Sequence, residues 1–162
     1  MGKKYYKVLS SFENRCGYPY HTGFNDLTGH LDEEGKQMVC YFTDVEHIFA
    51  YLNYGPVVRS VTFPNNTIIK YDPEKMVKDG PNIPGWYSEC VILGKPQNFN
   101  LKTIKKLIKD GADINVDDGL LFKWAYFKDK EVWDYLSHKY IDNQLVLTPS
   151  ARETFLNLLC DF

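Results

Sequence analysis

The sequence predicts an α+β fold: a small mixed sheet over residues 1–96, followed by an all-helical region over residues 97–162. Three observations point there. Up to Leu93 the apolar residues come in short runs of β-favouring side chains, bounded by Gly, Pro and Asn. From Asn98 onward the apolar period becomes helical, with Leu101, Ile104, Leu107 and Ile108 on one face. Between the two, Gly94-Lys95-Pro96 interrupts both patterns. A chain of 162 residues is long enough for one domain or two small ones, at roughly 100–200 residues each.

Residues 5–9, Tyr-Tyr-Lys-Val-Leu, read as the first strand. The polar stretch from Ser10 to Gln37 reads as loop, with Asp32-Glu33-Glu34-Gly35 as a solvated turn. Residues 38–42 form a continuous apolar run, hence a buried strand. Thr43-Asp44-Val45-Glu46 has the form of a capping box with Thr43 as the cap, followed by an apolar face of Ile48, Phe49, Tyr51 and Leu52. Gly55-Pro56 ends that helix, Gly55 as its left-handed cap. Residues 57–63 and 68–71 read as strands joined by the Pro64-Asn65-Asn66 turn. Residues 72–87 read as a long structured loop that buries Trp86 and Tyr87, and residues 90–93 as a further buried strand.

In the second region, Asp110-Gly111 closes the first helix, residues 120–127 and 132–140 form two more, and Thr148-Pro149 opens a fourth. Thr148 supplies the cap and Pro149 the first helical position, where its missing N–H costs nothing. Phe155, Leu156, Leu158 and Leu159 provide its apolar face.

Charge excludes some functions. Lys plus Arg is 19 and Asp plus Glu is 21, a net charge of −2, and neither region has a basic excess. Phosphate neutralisation needs one, so no nucleic-acid partner is expected. The apolar runs are too short to cross a membrane, and Met1 to Tyr6 has no apolar stretch behind it, so no membrane partner and a cytoplasmic location are expected. Cys16, Cys40, Cys90 and Cys160 form no CxxC pair, and the four histidines are scattered; reduced, mostly buried thiols and no metal site are expected. Asp113, Asn115 and Asp117 imitate the start of a calcium loop, but the glycine falls at Gly119 and the twelfth position is Trp124 instead of Glu. No GxSxG or phosphate-binding loop is present, so no catalytic residue and no cofactor are assigned.

The segment Lys102-Thr103-Ile104-Lys105-Lys106-Leu107-Ile108 recurs 28 residues on as Lys130-Glu131-Val132-Trp133-Asp134-Tyr135-Leu136. Between the copies, Gly111-Ala112-Asp113-Ile114-Asn115 resembles the end of an ankyrin repeat, where the second helix runs into a glycine cap and turn. Leu121-Phe122-Lys123-Trp124-Ala125 then looks like the first helix of a repeat, in a unit shorter than the usual ~33 residues. Degenerate repeats of this form resemble those of the ankyrin-repeat proteins of giant DNA viruses of the mimivirus kind. Tyr5-Tyr6-Lys7-Val8, Tyr41 to Asp44, Ile48 to Gly55 and Val58 to Pro64 look like the domain that precedes the repeats in that family.

The resemblance implies a non-enzymatic protein–protein interaction module with about two degenerate repeats, docking to a host or viral protein in the host cytoplasm. Such a stack usually needs three or more repeats, so the front domain is expected to cap it, or a second copy to complete it as a homodimer. Hairpin tips and first helices usually face the partner in ankyrin stacks, which makes Asn115, Asp117, Asp118, Lys123 and Phe127 the candidate binding residues. The alternative is an enzyme. The Tyr41-Phe42-Thr43 strand, the helix ending at Tyr51 and the Val-rich strand after it are also similar to ADP-ribosyltransferases. That resemblance would make Glu89 the late carboxylate and require NAD, with Tyr5, Tyr6 and Lys7 standing where those enzymes carry His or Arg.

Overall fold

The structure, a computed structural model, describes residues 2–73 and 85–161. Most of the loop expected over 72–87 therefore lies outside the described residues. In the front half, β1 (Tyr5–Leu9) is followed by the small hairpin of β2 (Asn14–Arg15) and β3 (Tyr18–Pro19), then β4 (Gly23–Asp26) and β5 (Cys40–Asp44). A 3-10 helix (Val45–Tyr51) leads to β6 (Val57–Thr62) and β7 (Lys70–Asp72). After these come β8 (Gly85–Ser88), β9 (Cys90–Leu93) and β10 (Gln97–Asn98). Four helices complete the chain: α1 (Leu101–Lys109), α2 (Val116–Lys128), α3 (Lys130–Ile141) and α4 (Pro149–Cys160). The fold is α+β, and no described helix is long and apolar enough to cross a membrane.

The main sheet runs β4-β9-β6-β1-β5-β8-β7, with β10 also on β6, and every pairing in it is antiparallel. A mixed sheet was the expectation, and the strand–helix–strand unit of β5, the 3-10 helix and β6 explains the difference. That unit makes β5 and β6 parallel to each other. Because β1 lies between them, antiparallel to both, no parallel contact forms.

The 3-10 helix is capped by Asp44, whose side chain accepts from His47 N, and not by Thr43, which stays in β5. Asp44 also takes His47 Nδ1 at 2.7 Å and Lys3 Nζ at 3.0 Å, so the charged residue makes the better cap. Gly55 has no positive φ. It is required instead because a Cβ there would sit 2.1 Å from the Leu9 carbonyl oxygen. Three of the four α-helices also have side-chain caps. Thr148, the cap the sequence predicts, accepts from Ala151 N, while Asn100 accepts from Thr103 N and Asp129 from Val132 N, two caps not singled out from the sequence.

Side chains alternate across the sheet. Tyr6, Val8 and Val58 point to one face and join the helices in a single cluster with Ile48, Phe49, Ile104, Leu107, Leu121, Phe122, Leu136 and Phe155. Leu9, Val57 and Val61 point to the other face and pack with Leu27, Cys40, Phe42, Val91 and Leu93. That second face also buries two cations opposite each other in register, Lys7 and Arg59. Arg59 is neutralised by Glu13 and donates to Thr22 Oγ1 at 2.9 Å and Gly94 O at 2.7 Å, which fastens the 10–23 segment to the sheet. Lys7 donates to Tyr41 O at 2.8 Å, and burial pushes its ammonium below its ordinary pKa.

The helices form two layers. The 3-10 helix, α2 and α4 pack side by side in one, α1 and α3 in the other, and α2 also packs on α3. The layers meet the sheet through a polar clamp at the end of α1. Asp110 accepts from Lys106 Nζ and Lys4 Nζ at 2.6 Å each and from Tyr6 OH at 3.1 Å.

Two outcomes are expected. Phe49→Ala, at a fully buried ring, should cost about 3–5 kcal/mol in urea unfolding. Asp110 is held down to about 2, first by Lys106 and then by Lys4, against an ordinary value of 3.8. Because the folded pKa is depressed, this stability is present above the unfolded value and is lost as pH falls from 3.8 toward about 2. Asp110→Asn should flatten that part of the stability–pH curve. Its cost at neutral pH should be only about 1 kcal/mol, since both lysines are half exposed.

Candidate interaction surface

The turn after α1 is built by its own backbone. Gly111 takes φ 108°, its N–H donates to Ile108 O at 3.1 Å, and Ala112 N donates to Leu107 O at 2.9 Å. These two bonds are those of a Schellman cap, which only a residue tolerant of positive φ completes without strain. Asp113 N then donates to Glu46 O at 3.0 Å, which joins the turn to the 3-10 helix. The Asp113 carboxylate accepts from Asn115 N and Asn115 Nδ2.

Asn115 spends its amide inside the chain. It donates to Val146 O at 3.2 Å and accepts from Thr148 N at 2.8 Å, tying the entry of α2 to the entry of α4. Asp117, Asp118 and Gly119 follow in the left-handed region, with φ 53°, 53° and 77°. Gly119 is fixed twice over, by its positive φ and by contact: a Cβ there would lie 2.9 Å from the Phe122 ring and 3.1 Å from Ala151. That close approach seats α4 on α2. Partial burial, with Asp118 alongside, raises the Asp117 carboxyl above its ordinary pKa.

Two of the five candidate residues share a cleft. Asp118 and Lys123 line an open groove of about 400 Å³ between the start of α2 and α4, together with Glu153, Thr154, Asn157 and Asp161. Phe127 does not line it. It lies farther along α2, 70% exposed, with its ring edge-on to Tyr126 at 5.0 Å. The α4 residues in the groove were missed from the sequence. Their signal was present, because Ser150, Thr154, Asn157 and Asp161 recur at helical spacing beside the buried Ala151, Phe155 and Leu158. That this stripe faces α2 depends on the packing of the two helices.

The residues singled out for the enzyme alternative do not converge. Glu89 lines a cleft of about 300 Å³ with Phe24, Asn65, Ile68, Lys70 and Tyr87. Tyr5 instead packs edge-on against Phe42, Phe63 and Trp86, Tyr6 reaches Asp110, and Lys7 is buried against Tyr41. Among the described residues, no three His, Cys, Asp or Glu side chains come together as a metal site. All four cysteines are free thiols. Cys40 alone is fully buried and Cys16 and Cys160 are exposed, because they fall on the β2–β3 turn and the outer end of α4, against the expectation of mostly buried thiols.

The relatives found among known proteins include two from Acanthamoeba polyphaga mimivirus. "Putative ankyrin repeat protein R229" is 35% identical over 126 residues, 74% of this chain and 38% of that protein. "Putative ankyrin repeat protein R868" is 26% identical over 128 residues, 76% of this chain and 60% of that protein. The chain thus spans less than two thirds of either relative. No family model and no solved structure matches it.

Paired substitutions at the left-handed turn separate strain from packing. Gly119→Ala should lower stability by about 1–3 kcal/mol in thermal or urea unfolding. Asp118→Gly, where only the backbone is strained and the side chain is exposed, should be neutral or stabilising by up to about 1 kcal/mol.

Proposed function

From a chain that belongs to the family of these mimivirus ankyrin repeat proteins, we infer a non-enzymatic protein-interaction module whose residues 97–162 are two degenerate ankyrin-type repeats. The observation that carries this reading is the match between the 28-residue sequence recurrence and the helical layers. The two copies of the recurring segment are α1 and α3, which lie side by side in one layer, while α2 and α4 do so in the other. Residues 1–96 form the domain before the repeats, and its 3-10 helix occupies the place beside α2 that an earlier repeat's first helix would take.

The docking surface is the exposed edge of the α2–α4 layer: Asp117 and Asp118 at the turn, Lys123 in the groove and Phe127 beyond it, with Asn115 holding the turn in place. An exposed aromatic beside charged side chains is the composition of a binding hot spot with a polar rim. The partner is a host or viral protein met in the cytoplasm of the infected cell.

The test is capture of partners from a lysate of giant-virus-infected amoebae on the immobilised full chain, beside an Asp118→Lys/Lys123→Glu/Phe127→Ser variant. One protein should be retained by the unaltered chain and lost on the variant, while circular dichroism shows both folded. Equal retention on both would place the binding surface elsewhere. Capture of the chain's own twin alone would replace docking with self-association.

A further inference from the structure

We propose that the opposite layer, α1 with α3, is a second docking face, which takes an acidic helix of a partner protein. The proposal rests on the interaction-module reading but not on the surface assigned above. Helix α1 carries Lys102, Lys105, Lys106 and Lys109, all exposed, and no carboxylate over Leu101–Lys109. Its buried side is Thr103, Ile104 and Leu107. Lys106 is spent on Asp110 and Tyr6. Among the described residues, Lys102, Lys105 and Lys109 form no ion pair.

These three lysines are separated by three and then four residues, so they stand on one face over about 10 Å of helix. Neighbouring elements reinforce the charge. On α3 the half-buried Tyr135 ring has Lys105 Nζ 4.7 Å from its centroid and Lys139 Nζ 5.9 Å from it. An aromatic ring contacted by two cations restrains their side chains and lowers the entropy lost when they meet a partner. Lys109 opens onto a cleft shared with Lys3 and Lys4. The carboxylates nearby are largely occupied: Asp110 by Lys4 and Lys106, Asp44 by Lys3 and His47, and Asp134 by Lys130. Exposed Glu46 lines the same cleft as Lys109, and Glu131 is exposed at the start of α3.

A helix with carboxylates at intervals of three and four presents negative charge at the same period, so each lysine can face a carboxylate. A nucleic acid fits less well. The lysine stripe contains no arginine for bidentate phosphate contact, and the chain as a whole carries a net charge of −2.

The experiment is fluorescence anisotropy with the full chain and a labelled, stapled peptide of about 15 residues, Ala-based, with Glu at intervals of three and four. A second peptide has the same composition with its Glu distributed around the helix. The striped peptide should bind, more tightly than the scrambled one and more weakly as salt rises. The Lys102→Gln/Lys105→Gln/Lys109→Gln variant should lose about tenfold in affinity. A Lys36→Gln/Lys95→Gln/Lys128→Gln control, which removes the same charge elsewhere, should lose less than about twofold. Should the first variant misfold, the charge-swapped pair decides: Lys102→Glu/Lys105→Glu/Lys109→Glu should bind a Lys-striped peptide that the unaltered chain ignores. No binding, equal losses in both triple variants, or no preference for the striped peptide would overturn the proposal. So would tighter binding of duplex DNA or of phosphatidylserine vesicles through the same lysines. Peptide binding is scored without any lysate, so its failure leaves partner capture through Asp118, Lys123 and Phe127 standing, and the reverse also holds.

Discussion

Ile48 and Phe49 are fully buried in the cluster where the sheet face of Tyr6, Val8 and Val58 meets Ile104, Leu107, Leu121 and Phe122. Side chains from either side of Pro96 belong to that one cluster, so neither the sheet face nor the inner side of the helices is left to water. Full burial of a Phe or Leu is worth about 1.5–3 kcal/mol, more than the half-exposed lysines that pair with Asp110 contribute. The 3-10 helix that carries Ile48 and Phe49 is short, and a segment of its length is marginal by itself. Its place comes from three constraints: the Asp44 cap, the Glu46 carbonyl accepting from Asp113 N, and the apolar side chains beneath it.

With that contact fixed, the two helical layers have a fixed relation to the sheet. The Asp110 clamp adds direction more than energy: it selects which end of α1 meets β1 by pairing one carboxylate with two lysines and a tyrosine. The outer surfaces then differ in chemistry. The α2–α4 layer exposes a turn of two aspartates, a lysine and the ring of Phe127. The α1–α3 layer exposes Lys102, Lys105 and Lys109, which form no ion pair among the described residues. On the far side of the sheet, Arg59 and Lys7 are buried, and the cost of desolvating them is met by Glu13, two carbonyls and the Tyr20 ring. These groups hold the irregular 10–23 segment in place and leave both helical surfaces unaffected.

Local signals in the sequence were reliable where local chemistry decides. The strands at 5–9 and 90–93 and the start of α4 at Thr148-Pro149 stand where the residues placed them. The glycine cap at Gly111 does too, since capping bonds and β-favouring runs are settled within a few residues. Strands β4 and β8 were not legible. Gly23–Asp26 has no alternating apolar pattern, and it is a strand because β9 offers it four paired residues. Gly85–Ser88 likewise gains its strand character from β5. Of the candidate surface, Asp118 and Lys123 could be chosen from the turn and first-helix pattern, but their groove partners on α4 could not.

By itself, then, the sequence determined the α+β class, the caps at Gly111 and Thr148 and the recurring helical segment, because each depends on bonds or periods local to the chain. Residues 97–98, expected in the all-helical region, are instead a strand because β6 pairs with them. The tertiary structure decided the rest. It put β1 between β5 and β6 and so made the sheet antiparallel. It chose Asp44 over Thr43 as a cap, because Lys3 and the His47 ring approach that carboxylate. It made Gly55 necessary through the Leu9 carbonyl and Gly119 through Ala151. Each of these depends on atoms far apart in sequence that come within van der Waals or hydrogen-bond reach only when the two layers of helix close over the sheet.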